Sequence, residues 1–508
     1  MSSVDISEPQ GAAPRGPSSE AGGLSDALNP ILVREVQQAV KGRVLQLAIF
    51  IALVASVVIA SSVASDAAGL AAGRGAFEAG LATLVPLLLF VIPMQAYSSM
   101  RAELKGGVVE QLLLSRLGPG RVVSGKLQAA MVQFLLYVSL LSPLLATSYL
   151  LRGVDLLTIS VSLFFALIAC VTVTVFAISS AAQAVVPALQ PIANLGMAFG
   201  LGLTTLGVTG AVLSGGYSEA MSSMLRSREV WTVVSGATLG SVITITLSWL
   251  IARSYLLHTF EDKSSGFRIF LWTSPVLVYG WMLGFVESRD WHDAFPLLTF
   301  GLLLAAIIFG VFMATEQRDL SPRVRNHAPT GRMSLIVAVP LLPGRDRGML
   351  CFTMFVALLF GLAATFWPSP TESTYDVADF VYRLGLTTVA YGFVYLLIGR
   401  WLRAWFPETV KGSQAARVAL PLFLFFCIVV PLLIDGFSGG RVSGWHLGHV
   451  LNPFWTMERF CLGMNPARWE AAEPFVITSL AVGALAQAPI WVRGVREVAR
   501  AARARRSA

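Results

Sequence analysis

The stretch Arg101-Ala-Glu-Leu-Lys-Gly-Gly-Val-Val-Glu-Gln-Leu-Leu-Leu-Ser-Arg-Leu-Gly-Pro-Gly-Arg-Val-Val-Ser-Gly-Lys126 separates two apolar runs, at residues 81–99 and 127–150. Each run has about the 20 residues that a helix needs to cross the hydrocarbon core of a bilayer. Charged residues enter that core only at a large free-energy cost, so those of the stretch lie in water or at a membrane surface. The sequence therefore predicts two membrane spans joined by a charged connection.

A short separate helix is predicted inside this connection, at residues 108–117. Gly106-Gly107 interrupts the helix before it, and Gly118-Pro119 stops it. Glu110 lies in its first turn and Arg116 in its last, where the helix dipole favours each charge. Its apolar residues cover more than one face, as expected of a helix that binds a protein groove or a membrane interface. These residues are Val108, Val109, Leu112, Leu113, Leu114 and Leu117.

The N-terminal part of the chain predicts a tail followed by an amphipathic helix. Residues 1–28 are rich in Ser, Gly, Pro and Ala and contain no apolar run, so they are interpreted as a disordered cytosolic tail. Asn29 and Pro30 then provide the cap and the first residue of a helix. Its apolar residues share one side, while Arg34 and Glu35 lie mostly on the other, which favours a position on the inner leaflet.

Both stretches resemble parts of a known protein family. The pattern from Glu103 to Lys126, with Gly-Gly, a central Leu-Leu-Leu-Ser, a proline, a basic residue and Gly-Lys, is similar to the segment after the second span of type-2 ATP-binding-cassette (ABC) permeases. The sequence Asn29-Pro-Ile-Leu-Val-Arg-Glu-Val-Gln-Gln-Ala-Val-Lys41 is similar to the amphipathic connecting helix with which such permeases open. The resemblance extends over residues 29–255 and is loose beyond them. Val108 stands where the family often has Thr.

The resemblance implies a coupling helix within residues 101–126 that docks on a separate ATPase subunit. Charged residues of the stretch would make polar contacts with the ATPase, and leucines would fill a groove in it. The residues assigned to ATPase coupling are Glu103, Gly107, Glu110, Leu112, Leu113, Leu114, Arg116, Pro119, Arg121 and Lys126. Those assigned to the connecting helix are Asn29, Pro30, Arg34 and Glu35. ATP hydrolysis then belongs to the partner, so no catalytic, cofactor-binding or metal-binding residue is expected in this chain.

The composition is that of an integral membrane protein. Of the 508 residues, 55% are hydrophobic and 13% are charged, and the mean hydropathy is +0.69. Soluble proteins usually contain about 25% charged residues. Apolar runs of about 20 residues predict an all-α, polytopic fold with about twelve spans. They lie at residues 44–65, 81–99, 127–150, 156–182, 187–213, 230–254, 269–286, 295–314, 349–367, 380–399, 418–435 and 474–492.

The distribution of Lys and Arg predicts the orientation of these spans. Most of the 37 basic residues fall in the connections on the same side as the N-terminus, which the positive-inside rule places in the cytosol. Both termini are therefore predicted to be cytosolic, with the basic C-terminal tail near anionic lipid headgroups. The same bias accounts for the net charge of +8 without a nucleic-acid partner.

The cores of the predicted spans contain no Asp, Glu, Lys, Arg or His. Proton- and ion-coupled carriers usually need ionisable groups at that depth, because such groups titrate or pair with the coupling ion. The sequence therefore favours a transporter whose energy comes from outside the membrane.

Three other patterns are weak as predictions of a site. Gly120 to Lys126 fits most of a P-loop, but Leu127 stands where the magnesium-binding Ser or Thr belongs. His446 and His449 form a pair without a third metal ligand, and interfacial histidines are the more ordinary interpretation. The four cysteines indicate packing positions rather than a disulfide framework.

The chain is predicted to contain a recognisable permease region and a rear extension. A permease half of this family has six spans, so twelve spans allow either both halves in one chain or one half with an extension. Because the rear part lacks a clear second copy of the Glu110–Lys126 pattern, the second arrangement, paired with a second permease copy, is favoured. The predicted regions are the tail (1–28), the connecting helix (29–43), the six-span permease-like region (44–256), two further spans with a basic linker (257–348), a four-span C-terminal membrane region (349–492) and the basic tail (493–508).

These observations predict the permease subunit of an ABC transporter in the cell membrane, which exports a substrate when a separate ATPase drives it. Membrane lipid and a second permease copy, in a homodimer or heterodimer, are the other expected partners. A membrane scaffold or assembly factor that transports nothing is a second hypothesis, and it predicts normal behaviour without any ATPase. An ion-coupled carrier is a third, disfavoured by the uncharged spans.

Overall fold

A computed structural model describes residues 29–65, 69–109, 111, 118–183, 190–227, 229–257, 261–287, 290–317, 338–366, 375–407, 410–437, 452–457 and 466–507. These residues form helices and no strand, so the predicted all-α fold is confirmed. The predicted tail at 1–28 lies outside them.

The helices follow one another along the chain in a front and a rear group. Those of the front group are α1 (Pro30–Lys41), α2 (Arg43–Ser65), α3 (Gly69–Pro86), α4 (Ile92–Lys105), α5 (Pro119–Leu150), α6 (Leu156–Ala182), α7 (Gln190–Leu213), α8 (Tyr217–Arg226) and α9 (Val230–Leu256). Those of the rear group are α10 (Ser265–Phe285), α11 (Trp291–Ala314), α12 (Arg345–Phe366), α13 (Tyr375–Ala404), α14 (Val410–Phe437), α15 (Pro453–Met457) and α16 (Pro466–Ser507).

Among the described residues, nine helical stretches are long and apolar enough to cross a membrane. The protein is therefore a multi-pass membrane protein. The three other predicted spans, at 269–286, 349–367 and 418–435, fall on α10, α12 and α14, which do not meet the same criterion. The nine stretches are Arg43–Ser61, Ala72–Lys105, Pro119–Leu150, Leu156–Ala182, Gln190–Leu213, Val230–Leu256, Ala294–Ala314, Val381–Ala404 and Val476–Arg500.

Large apolar side chains cover the outer surface of several of these helices. Leu47, Phe50 and Val57 of α2 are each more than half exposed, and so are Leu195 and Leu206 of α7. Soluble proteins rarely expose such continuous apolar surface to water, whereas the lipid tails of a bilayer accommodate it. The outer faces of α2 and α7 therefore suit contact with lipid.

The front group is packed around its second membrane helix, which consists of α3, a wide turn and α4. α3 contacts α2, α5 and α7, while α4 contacts α6. Almost fully buried side chains fill the space between them, including Phe77 and Leu84 of α3 and Tyr137 and Leu141 of α5. Since α6 also contacts α9, the front helices form one packed body.

The wide turn in the second membrane helix is a π-helical turn at Leu87–Val91. There the N–H of Ile92 donates to the carbonyl oxygen of Leu87, five residues back instead of four. Pro86 precedes the turn and Pro93 follows it, and a proline has no N–H to donate within a helix. The wide turn thus keeps the helix continuous where prolines remove regular hydrogen bonds.

The rear group is packed around α11, α12, α13 and α16. α11 contacts α12 and α13, and α16 contacts the same two helices. Phe352 and Phe355 of α12 and Leu396 of α13 are almost fully buried in this cluster, which α10 and α11 share. Of the two helices in the region 257–348, α11 packs within the rear group, and α10 contacts both α11 and the front helix α9. In the part of the chain that the structure describes, packing gives six long helices at the front and six at the rear.

Within the front group, α1 and α5 approach closely at Gly125. A Cβ atom added to Gly125 would lie 2.8 Å from Cβ of Ile31 and 2.9 Å from Nδ2 of Asn29, which is closer than packed atoms allow. A Cβ added to Gly202 of α7 would meet no atom within 4 Å beyond its own helix. The absence of a side chain at Gly125 therefore lets α1 lie against α5.

We expect Gly125→Ala to lower the free energy of unfolding by about 1–3 kcal/mol, because the added methyl group overpacks the contact between α1 and α5. Gly202→Ala is the matched control. It adds the same methyl group to an open helix face and gains up to about 1 kcal/mol from helix propensity. Denaturant unfolding in detergent micelles measures both variants, and equal effects would contradict the close approach at Gly125.

Candidate functional site

The first element of the site is the helix α1, whose N-terminus is capped by Asn29. Asn29 Oδ1 accepts a hydrogen bond of 3.1 Å from the N–H of Ile31, which satisfies a free donor of the first turn. Asn29 Nδ2 donates to the carbonyl oxygen of Arg121, at 2.9 Å, near the start of α5. With Pro30 at the first helical position, the predicted helix start is confirmed.

Four charged side chains form a network where α1 meets the ends of α4 and α5, with Glu103 and Lys126 buried and Arg34 and Glu35 partly exposed. Lys126 of α5 is 2% exposed, and its Nζ lies 2.5 Å from Glu35 Oε1 and 3.0 Å from Glu103 Oε2. Lys126 also donates to Ser99 Oγ at 2.7 Å. Arg34 contacts both Glu103 and Glu35. We call the four charged residues, Arg34, Glu35, Glu103 and Lys126, the front ionic network.

The front ionic network is electrically balanced, with two cations and two anions. Burying a charge is expensive, and attraction between buried partners offsets that cost only when their geometry is close and their hydrogen bonds are made. Arg34 and Glu35 of α1 each pair with a charge of another helix, Glu103 of α4 and Lys126 of α5 respectively. The network therefore fixes α1 against both helices that flank residues 106–118.

Two residues predicted to contact the ATPase, Glu103 and Lys126, point into the protein. Glu103 is 9% exposed and Lys126 is covered by α1, so their charged groups meet other residues of this chain rather than an outer surface. The sequence pattern shows only that both residues lie beside the charged connection, because it does not reveal that α1 folds over them. In this arrangement Glu103 and Lys126 position α1.

Other predicted coupling residues lie nearer to the surface. Arg121 is exposed in the first turn of α5, and Pro119 begins that helix. Gly107 has a φ of +68°, a left-handed conformation that glycine adopts without strain, just beyond the end of α4. The remaining predicted residues lie outside the described part of the chain, and these are Glu110, Leu112, Leu113, Leu114 and Arg116.

A further set of contacts joins the same end of α4 to α7. The Tyr97 hydroxyl donates to Asn194 Oδ1 at 2.8 Å, and Arg101 Nε donates to the Tyr97 hydroxyl at 3.4 Å. The Arg101 guanidinium also lies over the Tyr97 ring, 5.7 Å from its centroid. Tyr97 and Met100 are buried in one cluster with Val122 of α5. Polar and apolar contacts together hold the end of α4 in place.

A buried carboxylate, Glu78, lies at the opposite end of the front group. It is 8% exposed, and its Oε1 accepts hydrogen bonds from the N–H of Ser218 at 3.1 Å and the hydroxyl of Ser218 at 2.8 Å. Ser218 lies in the first turn of α8, where the helix dipole favours an anion. Glu78 lies outside the predicted span at 81–99, but the helix that contains it begins earlier, at Gly69. The four glycines from Gly69 to Gly80 disfavour a helix by propensity, so the sequence carries little signal of this earlier start.

A second charged cluster lies in the rear group. Arg268 of α10 is fully buried, and its Nη2 lies 2.7 Å from Glu316 Oε2, just after α11. The N–H of Gly344 donates to the same Glu316 oxygen at 3.0 Å, immediately before α12. Arg347 of α12, also fully buried, pairs with Glu497 of α16 at 2.8 Å. We call the four charged residues, Arg268, Glu316, Arg347 and Glu497, the rear ionic network.

The weak patterns in the sequence gain no support as sites from the described residues. Gly120 to Lys126 belongs to the continuous helix α5, not to a loop between a strand and a helix as a P-loop requires. Cys351 is a buried free thiol. His446 and His449 lie outside the described residues, within which no group of three or more His, Cys, Asp or Glu side chains could hold a metal ion.

Comparison of the chain with models of protein families, with curated proteins and with solved structures found no match. Its function is therefore inferred from its own residues and from the geometry described above.

We expect Lys126→Met to lower the free energy of unfolding by about 3–5 kcal/mol, because Glu35 and Glu103 then lose the buried cation they share. Adding Glu35→Gln to this variant should restore part of the loss, since one buried negative charge is then removed as well. Lys41→Met, at the exposed end of α1, is the control and should change stability by less than about 0.5 kcal/mol. Denaturant unfolding in detergent micelles measures all three, and similar losses for Lys126→Met and Lys41→Met would contradict the buried network.

Proposed function

We propose that this chain is the permease subunit of an ABC transporter, which moves a substrate outward across the cell membrane when a separate cytosolic ATPase drives it. The observation that carries the proposal is the front ionic network, which joins α1 to both helices that flank the charged connection. The resemblance of residues 29–41 and 101–126 to the connecting helix and coupling segment of type-2 ABC permeases supplies the partner.

This arrangement suits the transmission of a movement from a bound soluble partner to the membrane helices. A partner bound to the connection acts on the C-terminal end of α4 and the N-terminal end of α5, which the ion pair between Glu103 and Lys126 joins. α1 is tied to the same two helices through Arg34 and Glu35. Because densely packed helices move as bodies rather than deform, a displacement at this end reaches the packed interior of the front group.

ATP hydrolysis is assigned to the partner. The only stretch that approaches a P-loop pattern in the sequence lies within α5 and lacks the magnesium-binding hydroxyl. The predicted span cores carry no ionisable residue with which to couple transport to an ion gradient. An external motor is the energy source that fits both observations.

The remaining partners follow from the surfaces of the molecule. Lipid tails cover the exposed apolar faces of α2 and α7. In the proposed orientation the arginines at the end of α16, including Arg496 and Arg500, face the anionic headgroups of the inner leaflet.

We expect the charge reversal Glu110→Arg with Arg116→Glu to lower the amount of ATPase recovered per chain about twofold or more, because the polar contacts at the docking segment become repulsive. ATP hydrolysis by the remaining complex should no longer be coupled to transport. Affinity purification of the tagged chain in mild detergent, with quantification of the co-purified P-loop ATPase, measures the loss.

The matched control exchanges Asp155 and Arg226, an exposed pair 3.8 Å apart at the opposite end of the front group. This exchange preserves the number of charge changes and should leave ATPase recovery unchanged. Normal recovery with the Glu110 and Arg116 variant would contradict docking at residues 101–126. If the inserted wild-type chain brings no ATPase with it, the scaffold hypothesis is favoured instead.

An ion-coupled carrier is the alternative that a described residue favours, because Glu78 is a buried carboxylate within a helix long and apolar enough to span a membrane. Carriers of that class use such groups to bind the coupling ion. The contacts of Glu78 with Ser218 also suit a simpler role, in which the carboxylate caps the N-terminus of α8 and holds it against α3.

We expect Glu78→Gln to retain the stability of the protein, because the amide oxygen accepts the same hydrogen bonds from Ser218. Glu78→Ala should lower the free energy of unfolding by about 1–3 kcal/mol, because the buried donors of Ser218 lose their acceptor. A pH-sensitive dye inside proteoliposomes distinguishes the two functions. A proton flux that the wild-type chain supports and Glu78→Gln removes would establish the carrier, whereas the permease supports no such flux.

A further inference from the structure

We propose that the rear group of helices is a second permease unit, built on the same plan as the front group and fused to it in one chain. This inference rests on the proposed function and adds the number of permease chains and ATPase subunits in the transporter. One copy of this chain then binds two ATPase subunits and needs no second permease copy. This replaces the arrangement of one half with an extension, which the sequence pattern favoured.

The two groups share the order of their long helices and the packing partners of their second and sixth helices, whereas the fifth helix contacts the second at the front and the fourth at the rear. In the front group the second helix, α3 with α4, contacts the third and fourth, α5 and α6, and the sixth helix, α9, contacts the same two. In the rear group the second helix, α11, contacts the third and fourth, α12 and α13, and the sixth helix, α16, contacts the same two. Six helices can pack in many ways, so this agreement indicates a common plan.

The two ionic networks occupy equivalent positions in this plan. At the front, Glu103 at the end of the second helix pairs with Lys126 in the third. At the rear, Glu316 follows the second helix directly and accepts the N–H of Gly344 just before the third. In each group an arginine from the start of the group, Arg34 or Arg268, pairs with that carboxylate. Both groups therefore join an early helix, α1 at the front and α10 at the rear, to the ends of the second and third helices through one carboxylate, which is buried at the front and partly exposed at the rear.

The same tripeptide occurs where the chain enters the third helix of each group. It is Pro119-Gly-Arg121 at the start of α5 and Pro343-Gly-Arg345 at the start of α12. In both cases a side chain from the beginning of the group binds the backbone of the tripeptide. Asn29 Nδ2 donates to the carbonyl oxygen of Arg121 at 2.9 Å, and Arg268 Nη2 donates to the carbonyl oxygen of Gly344 at 3.1 Å. A three-residue match is weak alone, and its register differs by two residues, because α5 begins at Pro119 whereas α12 begins at Arg345.

The two groups are also alike between their fifth and sixth long helices. Each group has a short helix there, α8 at the front and α15 at the rear, and each contacts the fourth helix of its own group. Ser218 of α8 is bound by Glu78 of the second helix. Thr456 of α15 accepts a hydrogen bond of 2.8 Å from the Tyr391 hydroxyl of the fourth helix. The shared plan thus extends to the opposite end of the two groups.

Contacts of Arg417 show that both ionic networks lie at the same end of the molecule. Arg417 of α14 donates to Thr315 Oγ1 at 3.1 Å, next to Glu316 of the rear network. It also donates to the Tyr255 hydroxyl at 2.8 Å, near the end of α9. That end of α9 belongs to the buried cluster that contains Ile31 of α1, beside the front network. A soluble partner on this side of the membrane therefore meets the charged ends of both groups.

The stoichiometry of the chain tests the proposal without depending on the ATPase. A fluorescently tagged chain in lipid nanodiscs should bleach in a single step, as expected of one 54.5 kDa chain per particle. Two bleaching steps would overturn the fused plan and would leave the proposed permease function intact.

Native mass spectrometry of the complex tests the second docking surface. With the P-loop ATPase that co-purifies with the tagged chain, we expect one copy of the chain with two ATPase subunits. One chain with one ATPase, or two chains with two, would overturn the proposal. Absence of any ATPase would overturn the proposed function itself, so the two failures are distinguishable.

The charge reversal Glu110→Arg with Arg116→Glu sharpens the test, because it changes the front connection alone. If the rear group docks its own ATPase, the nucleotide-free complex of this variant should keep one of its two ATPase subunits. The control exchange of Asp155 and Arg226 should keep both. Loss of both subunits from the charge-reversal variant would overturn a separate rear docking surface.

Discussion

The buried ammonium group of Lys126 constrains how α1, α4 and α5 are arranged around it. Lys126 lies about 10 Å from the start of α5 at 1.5 Å per residue, and almost none of it is exposed. A charge so fully covered by protein needs close partners, and Glu35 and Glu103 supply them from α1 and α4. The position of α1 against the bundle follows from this need.

In the rear group, buried cations are also paired, but through different side chains. There the buried cations are the guanidinium groups of Arg268 and Arg347, which also bind carbonyl oxygens of the backbone. Arginine offers five donors in a planar fork, so it can bind a carboxylate and several carbonyl groups at once. The two networks therefore differ in their side chains while they join equivalent parts of the two groups.

Local patterns in the sequence predicted the positions of the helices and the capped start of α1, because apolar length and the Asn29-Pro30 pair act within a few residues. The inward orientation of Glu103 and Lys126 could not be predicted, since it depends on α1 folding back over residues distant in the chain. The likeness of the rear group to the front was also hidden. It is carried by packing partners and buried contacts, and the clearest trace in the sequence is the tripeptide at 119–121 and 343–345.

The π-helical turn at Leu87–Val91 has a consequence far from its own position. One additional residue in a turn rotates everything that follows by about 100° relative to an unbroken α-helix. Tyr97, Met100 and Glu103 all follow this turn. The direction in which their side chains leave the helix therefore depends on the turn at Leu87–Val91. Loss or gain of one residue in the turn would rotate Glu103 about the helix axis by about 100°. Its carboxylate would then point away from Arg34 and Lys126.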